Sequence, residues 1–219
     1  MKINADLNER VVIETETLDW VASPAAGVER RMLDRDGAEH GRATTIVRFA
    51  PGSEFPPHDH PGGEEFLVLA GTFSDEDGDF GPGSYVRNPV GTRHTPSSAP
   101  GCTILVKLCQ MDPADQDQVR IDTNAAAWQR PDGIDDAEFL ILHQFGPETV
   151  VMVRLGPGAP AITHDHPGGE EILVLEGSLI DEYGHYPKGT WLRNPHASVH
   201  SPHTDEGCVL WVKSGHLPD

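Results

Sequence analysis

At 219 residues the chain has room for one large β domain or two small ones. Its formal charge of −19, from 35 acidic against 16 basic side chains, excludes direct binding to a nucleic-acid backbone, whose phosphates would be repelled. With 23 Gly and 19 Pro spread among 37% hydrophobic residues, the composition disfavours long helices and suits short strands joined by tight turns.

The first twenty residues hold no apolar stretch of leader length, and no later run approaches the roughly 18 apolar residues of a membrane span. A cytoplasmic protein without a membrane partner is the expectation. Strand signals follow at 44–49, 65–69, 84–87 and 103–108, each bounded by Gly, Pro or Asp. Their spacing favours an all-β sandwich or barrel over alternating β/α units, leaving room for a short helix near the start of each half.

Ahead of the second strand signal stands His58-Asp59-His60-Pro61-Gly62-Gly63-Glu64-Glu65. Side chains two apart in a strand share a face, so His58 and His60 project together. The glycines permit a turn that swings Glu64 toward the same point, and His94 arrives from another strand after the turn 89–93. Glu65 should point to the opposite face, as a supporting or surface group. Phe66 and Val68 share the ligand face by alternation and are expected to wall the pocket; Tyr85 is a further lining candidate, with core packing as its alternative.

The same eight residues recur at His164 to Glu171, a shift of 106 positions. Without a gap this shift also aligns Asp75-Glu76 with Asp181-Glu182, Arg87-Asn88-Pro89 with Arg193-Asn194-Pro195, and His94 with His200. The polar, turn-forming stretch 111–117 separates the copies, giving domains 1–112 and 113–219. In the second copy the ligand candidates are His164, His166, Glu170 and His200, with Glu171 on the opposite face and Ile172, Val174 and Trp191 as pocket-lining candidates, core packing again being the alternative for Trp191. In both copies the last histidine lies 36 positions after the first, and a lone histidine would carry no such signal.

Three imidazoles and one carboxylate suit a borderline divalent ion. Zinc is expected in the protein as isolated, with iron(II), manganese, nickel or copper as alternatives, at two sites per chain. An ion preferring more than four ligands keeps positions open for water, dioxygen or a chelating molecule. No separate catalytic acid, base or nucleophile stands out. His40, His143, His185, His196, His203 and His216 have no counterpart at the 106 shift and read as incidental, His203 being the nearest to a ligand. Cys102, Cys109 and Cys208 lack paired spacing; Cys102 and Cys208 each open an apolar run and read as buried strand thiols.

The pattern Gly52-x5-His58-x-His60-x3-Glu64-x6-Gly71, then Gly83-x5-Pro89-x-Gly91-x2-His94, resembles the two cupin motifs. The second half repeats both, with Ala197 in place of the inner glycine; Ser98 and Thr204 replace the usual closing asparagine. More narrowly, the eight-residue repeat, the Asp-Glu pairs, the Arg-Asn-Pro turns and the Gly-Cys strand starts resemble the ChrR cupin-like family. The resemblance implies two tandem cupin domains of jelly-roll type. It also implies one of two functions. The first is a stress- or ligand-responsive regulator like the sensor domain of a zinc-dependent anti-sigma factor, with a small ligand at the metal and a protein partner. The alternative is a non-haem iron(II) dioxygenase cleaving diketones or hydroxyaryl ketones. Anti-sigma activity in that family belongs to a helical domain signed by His-x3-Cys-x2-Cys, and residues 1–43 contain no cysteine.

Overall fold

The computed structural model describes residues 1–38, 41–131 and 136–218. His40 lies outside the described residues. Every described strand pairing is antiparallel, and the helical content among the described residues is one 3-10 turn, Thr15–Thr17.

The chain divides into two compact units, Met1–Ala5 with Leu18–Ala125, and Asp6–Thr17 with Ala126–Asp219. In the first, the large sheet runs in the order Lys2–Ile3, Val28–Asp36, Arg42–Phe49, Cys102–Leu108, Glu64–Gly71, Ser84–Asn88, Val119–Asp122. In the second, the corresponding order is Ala137–Phe145, Glu148–Leu155, Cys208–Ser214, Glu170–Asp181, Thr190–Asn194, Val11–Glu14. The compact units are therefore not the sequence halves 1–112 and 113–219. Val11–Glu14, early in the first half, pairs with Thr190–Asn194, and Val119–Asp122, early in the second, pairs with Ser84–Asn88.

Alternation along the strands builds each core. Phe66 lies opposite both Val86 and Val106, and these side chains join Val68, Phe73, Ile104 and Phe49 in a buried cluster. Ile172, Val174, Leu192, Leu210 and Val212 form the equivalent cluster in the second unit. Residues one step out of phase face away: Glu65 lies opposite Arg87 and Lys107. Cys102 and Cys208 are buried in the two clusters, and burial pushes the Cys208 thiol up to about 11.

Candidate metal centres

In each unit a two-stranded ribbon supplies two of the histidines. His58–Asp59 pairs with Arg93–His94 so that His58 faces His94, and His164 faces His200 in the same way. The loops close on His60, whose backbone N–H donates to Thr92 and whose carbonyl accepts from Gly63 and Gly91. Gly63 has φ of +76°, and a Cβ there would fall 2.3 Å from Met111 Sδ, so the turn that brings Glu64 round requires glycine.

His58, His60, Glu64 and His94 each offer a ligand atom within 4.8 Å of the others, as do His164, His166, Glu170 and His200. Glu64 Oε2 lies 3.4 Å from His60 Nε2 and 3.2 Å from His94 Nε2; Glu170 Oε2 lies 3.2 Å from His166 Nε2 and 3.6 Å from His200 Nε2. Yet the Nε2 atoms of His60, His94, His166 and His200 are buried without a hydrogen bond, an arrangement costly to leave unmet.

The opposite ring nitrogens explain the orientation. His58 Nδ1 donates to the Pro56 carbonyl at 3.1 Å and His164 Nδ1 to Ile162 at 2.9 Å. His60 Nδ1 meets Thr92 Oγ1 at 2.9 Å, and that hydroxyl already donates to the Pro89 carbonyl at 2.7 Å. The hydroxyl can then only accept, so Nδ1 carries the proton and Nε2 presents its lone pair. Ser198 acts identically between His166 and Pro195. His94 Nδ1 and His200 Nδ1 each meet a carboxylate oxygen at 3.1 Å, from Asp75 and Asp181. Asn88 and Asn194 donate to the Glu64 and Glu170 carboxylates at 3.3 and 3.2 Å. Six imidazoles, each with Nδ1 turned to an acceptor, and four bare, buried Nε2 atoms fit a divalent ion in each unit.

Burial pulls the His60 and His166 pKa down, favouring the neutral, ligating form. For His94 burial acts the same way, but the Asp75 hydrogen bond and the Glu64 charge outweigh it and leave the pKa raised. Glu76, beside Asp75, accepts from the Thr95 N–H at 2.9 Å, which holds its carboxyl down at about 2; Glu182 accepts from the Ser201 N–H at 2.9 Å, and its own backbone N–H together with that of Ser201 lowers its pKa.

A cavity of about 170 Å³ opens on the first cluster, lined by His58, His60 and Glu64 and walled by Val28, Phe49, Phe55, Phe73, Ile104 and Val106. Phe66 and Val68, like Ile172 and Val174, lie on the ligand face but inside the core clusters. Tyr85 and Trp191 do not line either site. Tyr85 pairs with Leu67 and Trp191 with Leu173, one step out of phase with the ligands, which sends both side chains to the opposite face. Tyr85 there donates to Glu65 at 2.7 Å, and Arg87 bridges Glu65 and Asp115. Glu65 and Glu171 are thus fully buried rather than on the surface, with Glu171 meeting His216 Nε2 at 3.0 Å. His203 is half-buried, its backbone paired to Ile180, and it is not in the second cluster.

Asp75, Thr92, Asn88 and their counterparts were not among the expected site residues, although each recurs at the 106 shift, Ser198 replacing Thr92. Identity of Asp75 with Asp181 and of Asn88 with Asn194 across the two copies was the available signal.

A sequence profile of the ChrR cupin-like domain matches residues 8–112 and 116–218. No curated protein matches the chain in sequence. Among solved structures, a putative dioxygenase from Nostoc punctiforme is 19% identical, covering 97% of this chain and 85% of its own, with a TM-score of 0.79. Ylba from E. coli is 14% identical, covering 98% of this chain and 94% of its own, with a TM-score of 0.75. Oxalate decarboxylase from Lactobacillus farciminis, solved with formate, is 13% identical, covering 94% of this chain and 86% of its own, with a TM-score of 0.65. At these identities the likeness is one of fold. No helix among the described residues is long and apolar enough to cross a membrane.

Proposed function

The chain belongs to the ChrR cupin-like family, as a bicupin, and from that premise we propose that it is a metal-dependent oxygenase of small organic molecules working at the first site. The observation that carries this reading is the cavity of about 170 Å³ with apolar walls, opening on His58, His60 and Glu64. A divalent ion held by four side chains supplies Lewis acidity and, if it is iron(II), redox chemistry with dioxygen. The protein's part is to orient and to exclude water. Pro56, Thr92 and Asp75 fix the imidazoles, Asn88 fixes the Glu64 carboxylate, and Phe49, Phe55 and Phe73 keep the approach dry. The Nostoc protein's description as a putative dioxygenase is in line with this reading.

A second reading, a ligand-responsive regulator with a protein partner in the cytoplasm, is favoured by the second site. There His164 is exposed, and Ile162, Tyr183 and Val199 are exposed close by, with Tyr183 Oη 3.4 Å from the Val199 carbonyl. The deciding experiment is elemental analysis of protein purified without added metal, then oxygen uptake with diketones, hydroxyaryl ketones and 2-oxo acids after iron(II) loading. Uptake that disappears in His58→Ala supports the oxygenase. Zinc in the purified protein and no uptake under any metal would leave the regulator.

A further inference from the structure

The hydrogen bonds that hold the ligand glutamates do not stop at the asparagines. In the first unit Asn88, 3% exposed, donates from Nδ2 to Glu64 Oε2, and its Oδ1 accepts from Arg120 Nη2 at 2.7 Å. In the second unit Asn194, equally buried, donates to Glu170 Oε2, and its Oδ1 accepts from Arg10 Nε at 3.0 Å. A guanidinium donates and never accepts, so it sets which way the amide lies, with the oxygen toward the arginine and the NH2 toward the carboxylate. Turned over, the amide would face the glutamate oxygen to oxygen, an unpaired contact in a buried place. The arginines therefore govern a hydrogen bond made to the same oxygen that faces the Nε2 atoms of two ligand histidines.

Each arginine belongs by sequence to the other copy. Arg120 lies in the second copy, on the edge strand Val119–Asp122 beside Ser84–Asn88; Arg10 lies in the first, just before Val11–Glu14, which runs beside Thr190–Asn194. Nor do the two occupy equivalent places. Val119 lies opposite Arg87 and Val11 opposite Arg193, so Arg120 comes one residue after that shared mark and Arg10 one residue before it. The same contact is reached from two different positions. Arg10 also extends to a second ligand: its Nη2 donates to Tyr186 Oη at 2.8 Å and lies 3.4 Å from Asp181 Oδ2, the oxygen that meets His200 Nδ1. Arg120 Nη2 meets instead the exposed Asp77 at 2.7 Å. We propose that Arg120 and Arg10 are positioning residues for the first and second metal centres, each fixing an asparagine amide against the ligand glutamate, so that each centre is completed from the opposite copy. This rests on the metal reading above. Neither arginine belongs to a ligand set; they act through Asn88 and Asn194.

The test is zinc affinity in competition with a chelator, read one site at a time in full chains that carry His164→Ala to leave the first site or His58→Ala to leave the second. Arg120→Met should weaken zinc about tenfold at the first site and leave the second unchanged. Arg10→Met should do the reverse, with a loss at least as large because it also releases Asp181. A mutant cycle separates this role from one confined to the fold: with Asn88→Leu already in place, Arg120→Met should cost no further affinity. Undiminished first-site affinity in Arg120→Met, an equal loss at both sites, or a further loss beyond Asn88→Leu would overturn the inference. If Arg120→Met does not fold, Arg10→Met, which alters a residue outside any strand, carries the same site-selective expectation for the second centre, and equal losses at both sites there overturn it too. An unaltered chain that takes up no zinc would instead overturn the metal reading, and this inference with it.

Discussion

The two candidate metal centres repeat each other in their four ligands and in every hydrogen bond that orients them, yet several of the residues around them differ. Phe55, stacked edge-on against His58 at 5.2 Å, has Ala161 as its counterpart, and His164 is correspondingly more exposed than His58. Pro56, Asp77 and Arg93 near the first site are matched by Ile162, Tyr183 and Val199 near the second. Duplication preserved the coordination chemistry and released the walls to diverge, which is the pattern expected when one ion type serves two different contacts.

The strongest test of the symmetry is removal of a ligand. His58→Ala and His164→Ala should each lower metal content by about one ion per chain, with no effect on the other site; elemental analysis that shows neither loss would dismiss both assignments. Removing an orienting carboxylate should sharpen the comparison. Asp75→Asn is expected to weaken first-site metal affinity by about 10–100-fold in competition with a chelator. Asp181→Asn should do the same for the second site and also lower the unfolding temperature. Asp181 accepts in addition from Tyr186 and from the Tyr183 and Gly184 N–H groups, and it pairs with Arg10 at 3.4 Å. Equal melting temperatures for the two variants would contradict this division.

Smaller effects come from backbone strain placed differently in the two copies. Ala197 holds φ of +56° where the first copy has Gly91 at +86°, and Cys109 holds +56° where the second has Gly215 at +73°. A Cβ at Gly91 would meet nothing, so Gly91→Ala and Ala197→Gly should be near mirror images, about 1 kcal/mol lost and about 0.5–1 kcal/mol gained in denaturant unfolding. The cysteine pair should not mirror, because a Cβ at Gly215 would fall 2.0 Å from the Pro147 carbonyl. Gly215→Cys should therefore be far more damaging than Cys109→Gly.

The smallest expected effect is a change of pH dependence. Glu76 has its carboxyl held at about 2 against an ordinary 4.5, so its contribution is present above about 4.5 and fades as pH falls from there toward 2. Glu76→Gln should narrow the difference between urea midpoints at pH 7 and pH 3, and an unchanged difference would mean that the Thr95 contact is not maintained in solution.

The ligands were legible because a spacing of 36 residues recurs in both copies, and four ligand-type side chains kept at fixed positions through a duplication are what a bound ion requires. Strands such as Cys102–Leu108 were legible from their apolar runs within one or two residues. Val28–Asp36 was not, since Val-Glu-Arg-Arg-Met-Leu-Asp-Arg-Asp reads as a charged segment, and it is held in place by pairing with Arg42–Phe49 rather than by its own alternation. The choice between pocket lining and core packing for Tyr85 and Trp191 was not legible because the face of a residue on one strand follows from its register with the next, and register is a tertiary quantity.

The exchange of edge strands has a consequence for any attempt to divide this chain. A gene cut at residue 112 would encode a half that keeps Val11–Glu14 without the Thr190–Asn194 strand it pairs with, and lacks Val119–Asp122 along the edge of Ser84–Asn88. Each product would carry one unsatisfied edge and one homeless strand, a reciprocal pair of adhesive ends. Expressed alone, such halves should seek one another or a second copy of themselves, so the duplication is bound by topology as well as by the peptide bond that joins it.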